Sequence, residues 1–205
     1  MELKHKKKKK IGVLIDQLIP GGVQKSAIEE VRNLRKLGYN ASLLILMRKG
    51  FENENRYLTG NIPYLFLSDR FPKFLQKSFK LPIFRFLTTF HLLSPMIIPL
   101  IVKTNEFDIL LSHGTTTTLS AYSIAKFRKI PYITIVHDPM IYILENIYAK
   151  TPLKILFPII KPLARFLEKS FLKSAKACLV DSTVHAGFLK KNYKINPKVL
   201  YLAIE

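Results

Sequence analysis

IGVLIDQLIPGGVQKSAIEEVRNLRKLG, residues 11–38, decides the fold of this 205-residue chain. Ile11, Val13 and Ile15 belong to an apolar run of strand type, and after a two-glycine turn the apolar residues recur at helical spacing. Gly38 follows the periodic segment and is a typical left-handed helix stop. The stretch therefore predicts a strand, a tight turn and an amphipathic helix, which together make one βα unit.

The turn of this unit places bare backbone beside the start of a helix. Gly21 and Gly22 carry no Cβ, so a ligand can approach their backbone closely. The N–H groups in the first turn of the helix attract anions, because they lack partners inside the helix. A phosphate or a sugar hydroxyl could bind here, but a purely structural turn that needs a positive φ explains the two glycines equally well.

The alternation of strand and helix continues along most of the chain. Helical stretches, including residues 115–127 and 183–191, separate short apolar segments that predict six further strands, at residues 41–47, 62–67, 107–112, 132–136, 177–181 and 198–202. Strands that alternate with helices form a parallel sheet covered on both faces, with ligands at the carboxyl ends of the strands. We expect an α/β fold, a Rossmann-like, doubly wound, mostly parallel sheet of about seven strands, as a single domain over residues 11–205 after a basic disordered tail at residues 1–10.

The chain is strongly basic, with 33 Lys and Arg residues against 14 Asp and Glu residues and a net charge of +19. Such a charge predicts an anionic partner, which could be a phospholipid surface, a phosphorylated substrate or a nucleic acid. Nucleic acid is not expected, because most Phe residues fall in apolar helix or strand patterns. Cys178 is the single cysteine and no secretory signal is evident, so we expect a cytoplasmic protein.

Residues 86–102 raise the question of a membrane-spanning segment. They are 17 residues without a formal charge, and a spanning helix needs roughly 20 apolar residues. Pro95, Pro99 and several polar residues weaken that interpretation. A buried or membrane-touching hairpin is favoured over a spanning helix.

Residues 151–173 predict a basic amphipathic helix that Pro158 and Pro162 must kink or divide. Its apolar positions share one face, and its cations collect on another: Leu153, Phe157, Ile160, Ala164, Leu167 and Phe171, against Lys154, Lys161, Arg165 and Lys169. Such a helix suits the surface of an anionic membrane. An ordinary surface helix that packs its apolar face on the sheet is the alternative.

Known phosphate-binding and metal-binding fingerprints fit the chain poorly. The dinucleotide motif G-x-G-x-x-G needs spaced glycines, and the triphosphate loop needs a glycine where Gln24 stands before Lys25 and Ser26. No two Asp residues are separated by a single residue, so there is no D-x-D pair to hold a divalent ion. No metal and no cofactor are therefore expected.

Two histidines directly follow predicted strands. His113, with Gly114 after it, ends the strand at residues 107–112, and His137 follows residues 132–136. Because the carboxyl ends of parallel strands meet at one edge of a sheet, both rings and the two-glycine turn should face one ligand crevice. An imidazole can donate to a sugar hydroxyl or a phosphate oxygen there, although either histidine alone is more often structural.

These segments, in this order, resemble the N-terminal domain of the retaining glycosyltransferases of the two-domain GT-B fold, in their family 4. The resemblance covers nearly the whole chain from Lys10 to Glu205. It rests on PGGVQK, EEVRNLRKLGYN, FDILLSHG, PYITIVHDP, RFLEKSFLKSAKACLVDST and KVLYLAIE. The resemblance implies that His113 is the catalytic residue at the transfer centre. The substrate-binding residues that it implies are Gly21, Gly22, Gln24, Gly114 and His137.

The resemblance also implies the partners. In that fold the N-terminal domain mainly binds the acceptor and a C-terminal domain binds the nucleotide-sugar donor. We therefore expect the acceptor-binding half of a sugar-transfer enzyme, acting on a sugar or lipid-linked acceptor at the inner face of the cell membrane. Full activity needs a donor domain, which a separate chain could supply. A non-catalytic module that binds a phosphorylated ligand or acidic lipid is the alternative.

Overall fold

The computed structural model describes residues 8–47, 56–73, 76, 94–103, 105–146, 148–150 and 152–201. Residues 1–7 of the predicted tail therefore lie outside the described residues, whereas Lys10 begins the first strand. The predicted loop between the second and third strands is described only from Arg56 onward.

One sheet of seven parallel strands runs through the described residues, in the order β3-β2-β1-β4-β5-β6-β7. The strands are β1 (Lys10–Ile15), β2 (Asn40–Ile45), β3 (Tyr64–Phe66), β4 (Ile109–His113), β5 (Tyr132–Val136), β6 (Ala177–Val180) and β7 (Lys198–Val199). The predicted Rossmann-like parallel sheet is confirmed. The predicted strand at residues 107–112 starts two residues later and includes His113 as its last residue.

Helices connect most of these strands and cover both faces of the sheet. They are α1 (Gly22–Lys36), α2 (Ser94–Ile101), α3 (Thr115–Arg128), α4 (Met140–Asn146), α5 (Phe157–Ser174) and α6 (Thr183–Tyr193). Short 3₁₀ segments lie at Arg56–Leu58, Leu67–Arg70, Tyr148–Lys150 and Pro152–Leu156. Gly38 has a φ of +89°, so the predicted left-handed stop after α1 is confirmed.

The strand order creates a switch point between β1 and β4. The chain moves outward from β1 to β2 and β3, then returns to the other side of β1 to form β4. Leu14 of β1 pairs with Ser112 of β4, so the next residues, Ile15 and His113, lie at the same level of the sheet. Connections that leave these two strands diverge, and ligands of α/β sheets bind in the crevice that this divergence opens.

Alternating residues of the strands pack on opposite faces of the sheet, as the pleat requires. On one face, Val13 and Ile15 pack with Ala27 and Val31 of α1. On the other face, Leu14 packs with residues of α2 and α3. A third cluster joins β5 and β6 to α5 and α6. These buried faces hold α1, α3 and α6 in place at the carboxyl edge of the sheet.

The two segments with a possible membrane role have ordinary helical structure where they are described. Residues 86–93 lie outside the described residues, and the rest of residues 86–102 contains α2, an eight-residue helix with Pro99 inside it. Among the described helices, none is long and apolar enough to cross a lipid bilayer.

The predicted helix at residues 151–173 is divided, but at a different point. A 3₁₀ segment ends at Leu156 and α5 begins at Phe157, so Pro158 lies in the first turn of α5, where its missing N–H costs nothing. The helix then continues through Pro162. Phe157, Ala164 and Phe171 are buried, so this part of the predicted apolar face packs on the rest of the domain, whereas Leu167 is exposed.

Candidate functional site

The two-glycine turn lies at the carboxyl end of β1 and starts α1. Gly21 has a φ of −175°, which any residue adopts, and Gly22 does not have a positive φ. A Cβ on Gly22 would meet no other atom of the described residues within 4 Å. The expectation that the turn needs a positive φ is therefore wrong, but a Cβ on Gly21 would lie 2.6 Å from Oε1 of Gln24, so packing still favours glycine there. Open space beside bare backbone is what a close ligand needs.

Gln24 lies in the first turn of α1 and faces inward. Its side chain is buried, and its Nε2 donates a hydrogen bond of 3.3 Å to Oδ1 of Asp16. The same carboxyl oxygen accepts from the backbone N–H of Gln17 at 2.8 Å. In this structure Gln24 therefore connects α1 to the loop that leaves β1, and its amide is turned toward that loop.

Gly114 begins the connection from β4 to α3. Its φ of +89° and ψ of 161° are accessible essentially to glycine alone, so the backbone itself explains this residue. Thr117 and Thr118 then donate their hydroxyl hydrogens to the carbonyl of Gly114, at 2.8 and 2.9 Å. These bonds fix the start of α3 beside the switch point.

Four helices begin at the carboxyl edge of the sheet, and they differ in how their first N–H groups are satisfied. In α6, Oγ of Ser182 accepts from the N–H of His185 at 3.2 Å. In α4, Oε1 of Glu168 accepts from the N–H of Met140 at 2.7 Å. Within the described residues, α1 and α3 have no side-chain cap and no acidic residue in the first turn. The two uncapped helices are those that flank the switch point, where an anion would be stabilised.

His113 and His137 lie next to each other at this edge, as the sequence predicts. Nδ1 of His113 lies 3.3 Å from Nε2 of His137. The outer nitrogen of each ring meets a carboxylate: Nε2 of His113 lies 2.6 Å from Oε2 of Glu30, and Nδ1 of His137 lies 3.2 Å from Oδ2 of Asp181. The four side chains form one hydrogen-bonded row, Glu30–His113–His137–Asp181.

The row continues to α6. The other carboxyl oxygen of Asp181 lies 2.9 Å from Nδ1 of His185, and Nε2 of His185 is 3.8 Å from the Asp138 carboxylate. Sequence reasoning missed the parts played by Glu30 and His185. The position of His185 four residues after Asp181 on a capped helix was a usable signal, whereas Glu30 looks like one of two ordinary acidic residues on α1.

Burial governs the electrostatics of the histidine pair. The side chain of His113 is 0 % exposed and that of Glu30 is 24 % exposed. Burial lowers the pKa of His137, and the neighbouring charge of His113 lowers it further, although Asp181 opposes both effects. Both ring nitrogens of His113 are occupied by protein groups. A substrate can contact this ring only after Glu30 or His137 moves.

Glu168 of α5 is the buried carboxylate that holds this region together. It is 0 % exposed, and it accepts hydrogen bonds from the Met140 N–H and from the hydroxyl of Tyr193. It also lies 3.4 Å from Oγ1 of Thr115, which donates to the Asp138 carbonyl at 2.8 Å. Burial raises the pKa of Glu168. This side chain joins α5 to α3, α4 and α6 behind the histidine pair.

Metal binding is not supported by the geometry of this cluster. The described part of the chain contains no group of three or more His, Cys, Asp or Glu residues arranged to hold a metal ion. The thiol of Cys178 lies in β6, and burial raises its pKa to about 12, so it is unreactive near neutral pH.

A second surface of interest lies on the outer side of α5. Four apolar side chains that the sequence prediction did not place there are between 57 % and 82 % exposed: Ile155, Ile159, Leu163 and Phe166. Beside them runs a row of cations, Lys154, Lys161, Arg165 and Lys169, which line an open groove of about 830 Å³. We call these eight residues the basic apolar surface. The helix is thus apolar both where it packs on the domain and where it faces outward.

Comparison with known structures identifies the architecture. HepE of Anabaena, in a crystal structure with UDP-glucose, aligns with a TM-score of 0.59 and 14 % identity over 96 % of this chain and 44 % of HepE. A glycosyltransferase from Rickettsia africae has a TM-score of 0.51 and 19 % identity over 95 % of this chain and 42 % of its own. MurG of Acinetobacter baumannii has a TM-score of 0.50 and 16 % identity, over 94 % and 44 %.

The fold is that of the N-terminal, Rossmann-like domain of the GT-B fold. Residues 20–204 match Glycosyltransferase Family 4, and the chain belongs to that family. No sequence among the curated proteins matches it significantly. The chain spans less than half the length of each of the three structures named above.

Proposed function

We propose that the chain is the acceptor-binding part of a glycosyltransferase that moves a sugar from a nucleotide-sugar donor to a membrane-associated acceptor, together with a C-terminal donor domain. Membership of family 4 and the likeness to HepE, whose structure holds UDP-glucose, support a sugar-transfer reaction. The observation that carries the proposal is the switch point, where two uncapped helices begin beside a histidine.

The turn at Gly21 and Gly22 is proposed to line the donor diphosphate and the acceptor. Its backbone borders open space, and the first N–H groups of α1 have no side-chain cap within the described residues. Negative charge is favoured at such a position. Gly114 starts α3 in the same way on the other side of the switch point.

His113 is proposed to act at the transfer centre, with His137 in the same cleft. A donor domain that closes over the switch point would place its substrate against Glu30 and the histidine pair. Exchange of the Glu30 contact for a sugar hydroxyl or a phosphate oxygen would expose Nε2 of His113 to the substrate. Gln24 is proposed to contribute by holding the turn in place through Asp16.

The acceptor is proposed to be lipid-linked, at the inner face of the cell membrane. The basic apolar surface combines exposed apolar side chains with four cations, which fits an anionic lipid surface. Each cation close to such a surface contributes about 1 kcal/mol. Lys161 is partly neutralised by Glu145 at 3.1 Å, so Lys154, Arg165 and Lys169 carry more of the attraction.

Transfer is tested by supplying a family 4 donor domain in trans with radiolabelled nucleotide sugars and a lipid extract, and by measuring label in the lipid phase. The key variant is Gly22→Ala, because its methyl group meets no described atom within 4 Å and therefore perturbs ligands rather than the fold. Gly187→Ala in α6 is its matched control, since that glycine also borders open space.

We expect transfer by the wild type and by Gly187→Ala, at least tenfold slower transfer by Gly22→Ala, and none by His113→Ala. Circular dichroism checks that each variant is folded. Absence of transfer by the wild type with every nucleotide sugar, or undiminished transfer by His113→Ala, contradicts the proposed catalytic role.

Membrane binding is tested by flotation with vesicles of anionic and of neutral lipid. The triple variant Lys154→Glu, Arg165→Glu and Lys169→Glu is compared with Lys190→Glu, Lys191→Glu and Lys194→Glu, which changes the net charge equally at three exposed positions near the end of α6. Loss of the three cations in this α5 variant, where Lys154 lies in the 3₁₀ segment just before the helix, is worth about 3 kcal/mol, which is more than a hundredfold in partitioning.

We expect binding to anionic vesicles that weakens at high salt and is lost in the α5 variant but retained in the α6 variant. Equal losses in both variants would show a non-specific effect of net charge. No binding by the wild type would contradict the proposed contact of the basic apolar surface with a membrane. Lipid binding without any transfer would favour the non-catalytic lipid-binding module.

A further inference from the structure

The histidine pair has a geometry that ordinary packing does not require. The ring planes of His113 and His137 differ by 24° and the ring centres are 5.5 Å apart. The facing nitrogens are 3.3 Å apart, so they lie close to the line that joins the ring centres. The rings therefore meet edge to edge, as in a hydrogen bond between two imidazoles, and not face to face.

The contacts of the pair determine how many protons it needs. A carboxylate can only accept, so a proton must lie on Nε2 of His113 toward Glu30 and another on Nδ1 of His137 toward Asp181. A hydrogen bond between the two facing nitrogens needs a third proton. Two neutral imidazoles carry one proton each. The complete row is therefore satisfied by one proton more than two neutral rings supply.

Two protons always leave one of the three contacts of the row without a hydrogen. Either two nitrogen lone pairs oppose each other at 3.3 Å, or a ring lone pair faces the carboxylate of Asp181 or Glu30. Both histidines are buried, so such a lone pair cannot turn to bulk water, and an unsatisfied buried polar group costs about 1–3 kcal/mol. The third proton replaces this repulsion by a hydrogen bond. It also places one positive charge between two negative carboxylates, which favours the charged form.

We propose that the His113–His137 pair holds this third proton, shared between the facing nitrogens, and that Glu30 and Asp181 are positioning residues that keep it there. His113 then presents no free lone pair. When the Glu30 contact opens, its Nε2–H can donate to a hydroxyl or phosphate oxygen, but the ring cannot act as a general base. The shared proton does not depend on the proposed function; only the identity of the ligand that contacts His113 rests on it.

Within the described residues, four titratable groups contact or neighbour the pair. Glu30 approaches from α1, Asp181 lies after β6, His185 approaches Asp181 from α6, and Asp138 follows His137. Because the two rings share a proton, they titrate as one unit and not as separate residues. Removal of either flanking carboxylate must therefore change the titration of both rings together.

The test is a titration of the full chain, labelled with ¹⁵N-histidine, by long-range proton–nitrogen NMR. At neutral pH we expect the two rings to show three protons over their four nitrogens. Glu30→Gln keeps an oxygen that accepts from His113 and removes only the charge, so it should lower the pH at which both rings lose the third proton by about one to three units. Asp181→Asn should act in the same direction.

Asp108→Asn is the matched control. Asp108 precedes β4, at the opposite edge of the sheet, where its carboxylate accepts from the N–H of Lys10 at 2.7 Å. It should leave the titration of the pair unchanged. The amide spectrum reports whether each variant is folded, so a merely structural role of Glu30 is separated from its effect on the rings.

Two neutral rings, each with one unprotonated nitrogen at neutral pH, would overturn the shared proton. An unchanged titration in Glu30→Gln would overturn the positioning role of Glu30. Neither readout needs sugar transfer, so the inference and the proposed function can fail independently.

Discussion

Replacement of Glu168 tests how much the hydrogen bonds of this buried side chain contribute to the free energy of unfolding. Glu168→Ala removes the acceptor for the half-buried Met140 N–H and the buried Tyr193 hydroxyl, whereas Thr115 keeps its bond to the Asp138 carbonyl. Each orphaned donor costs about 1–3 kcal/mol, so we expect a loss of about 2–6 kcal/mol in the free energy of unfolding.

Glu168→Gln should behave differently. Its amide oxygen can accept from the Met140 N–H, and its amide nitrogen can donate to Oη of Tyr193, which accepts as well as donates. Both donors keep a partner, so we expect a change within about 1 kcal/mol near the acidic end of the pH range. The comparison of the two variants separates the hydrogen bonds from the charge.

The pH dependence has a definite sign. Burial raises the pKa of Glu168 in the folded state above its ordinary value of 4.5, so the folded protein binds this proton more tightly than the unfolded chain. The resulting stability is fully present below about pH 4.5 and is lost as the pH rises through the folded-state pKa. Relative to Glu168→Gln, the wild type should therefore lose stability with rising pH, by at most about 1.4 kcal/mol per pH unit.

Urea unfolding followed by far-ultraviolet circular dichroism measures this difference, because the chain contains no Trp for fluorescence. Other titrating groups largely cancel between the wild type and Glu168→Gln. A difference that stays flat from about pH 4.5 to pH 8 would refute the raised pKa. If Glu168→Ala were as stable as the wild type, the expected cost of the two lost hydrogen bonds would be refuted.

Three smaller changes follow from the same contacts. Tyr193→Phe removes one hydrogen bond from the buried Glu168 carboxylate, and urea unfolding should show a loss of about 1–3 kcal/mol. Gly114→Ala forces a side chain into a backbone conformation with φ +89°, which should cost about 1–3 kcal/mol; an unchanged midpoint would mean that this turn relaxes. Ser182→Ala removes the cap that accepts from the His185 N–H, and we expect a cost of about 1 kcal/mol. Thermal unfolding measures it, with Ser170→Ala, a half-buried serine within α5, as the control.

The sequence by itself predicted the order of strands and helices, because this information is local. Apolar runs, helical periodicity and the helix stop at Gly38 each act within a few residues of their own position. From that order, the parallel sheet and the shared edge of His113 and His137 followed by topology. The predicted bounds were wrong mainly by one or two residues at strand ends.

Only the tertiary structure decided which side chains meet. Glu30 and His113 are 83 residues apart in the chain, and nothing in the pattern of α1 distinguishes Glu30 from its neighbour Glu29. Because α1 crosses the sheet beside the switch point, Glu30 and not Glu29 contacts His113. The second apolar face of α5 and the buried position of Glu168 likewise depend on how helices pack, which periodicity alone does not determine.

The Gly21–Gly22 turn shows most clearly what the sequence determines and what depends on the tertiary structure. The sequence determined that a strand, two glycines and a helix follow one another, and it left a structural and a ligand-binding explanation open. The structure shows that neither glycine has a positive φ, that Gly22 borders open space, and that a Cβ on Gly21 would crowd the side chain of Gln24. Backbone angles and free volume depend on the whole fold, so no local pattern of residues could have settled them.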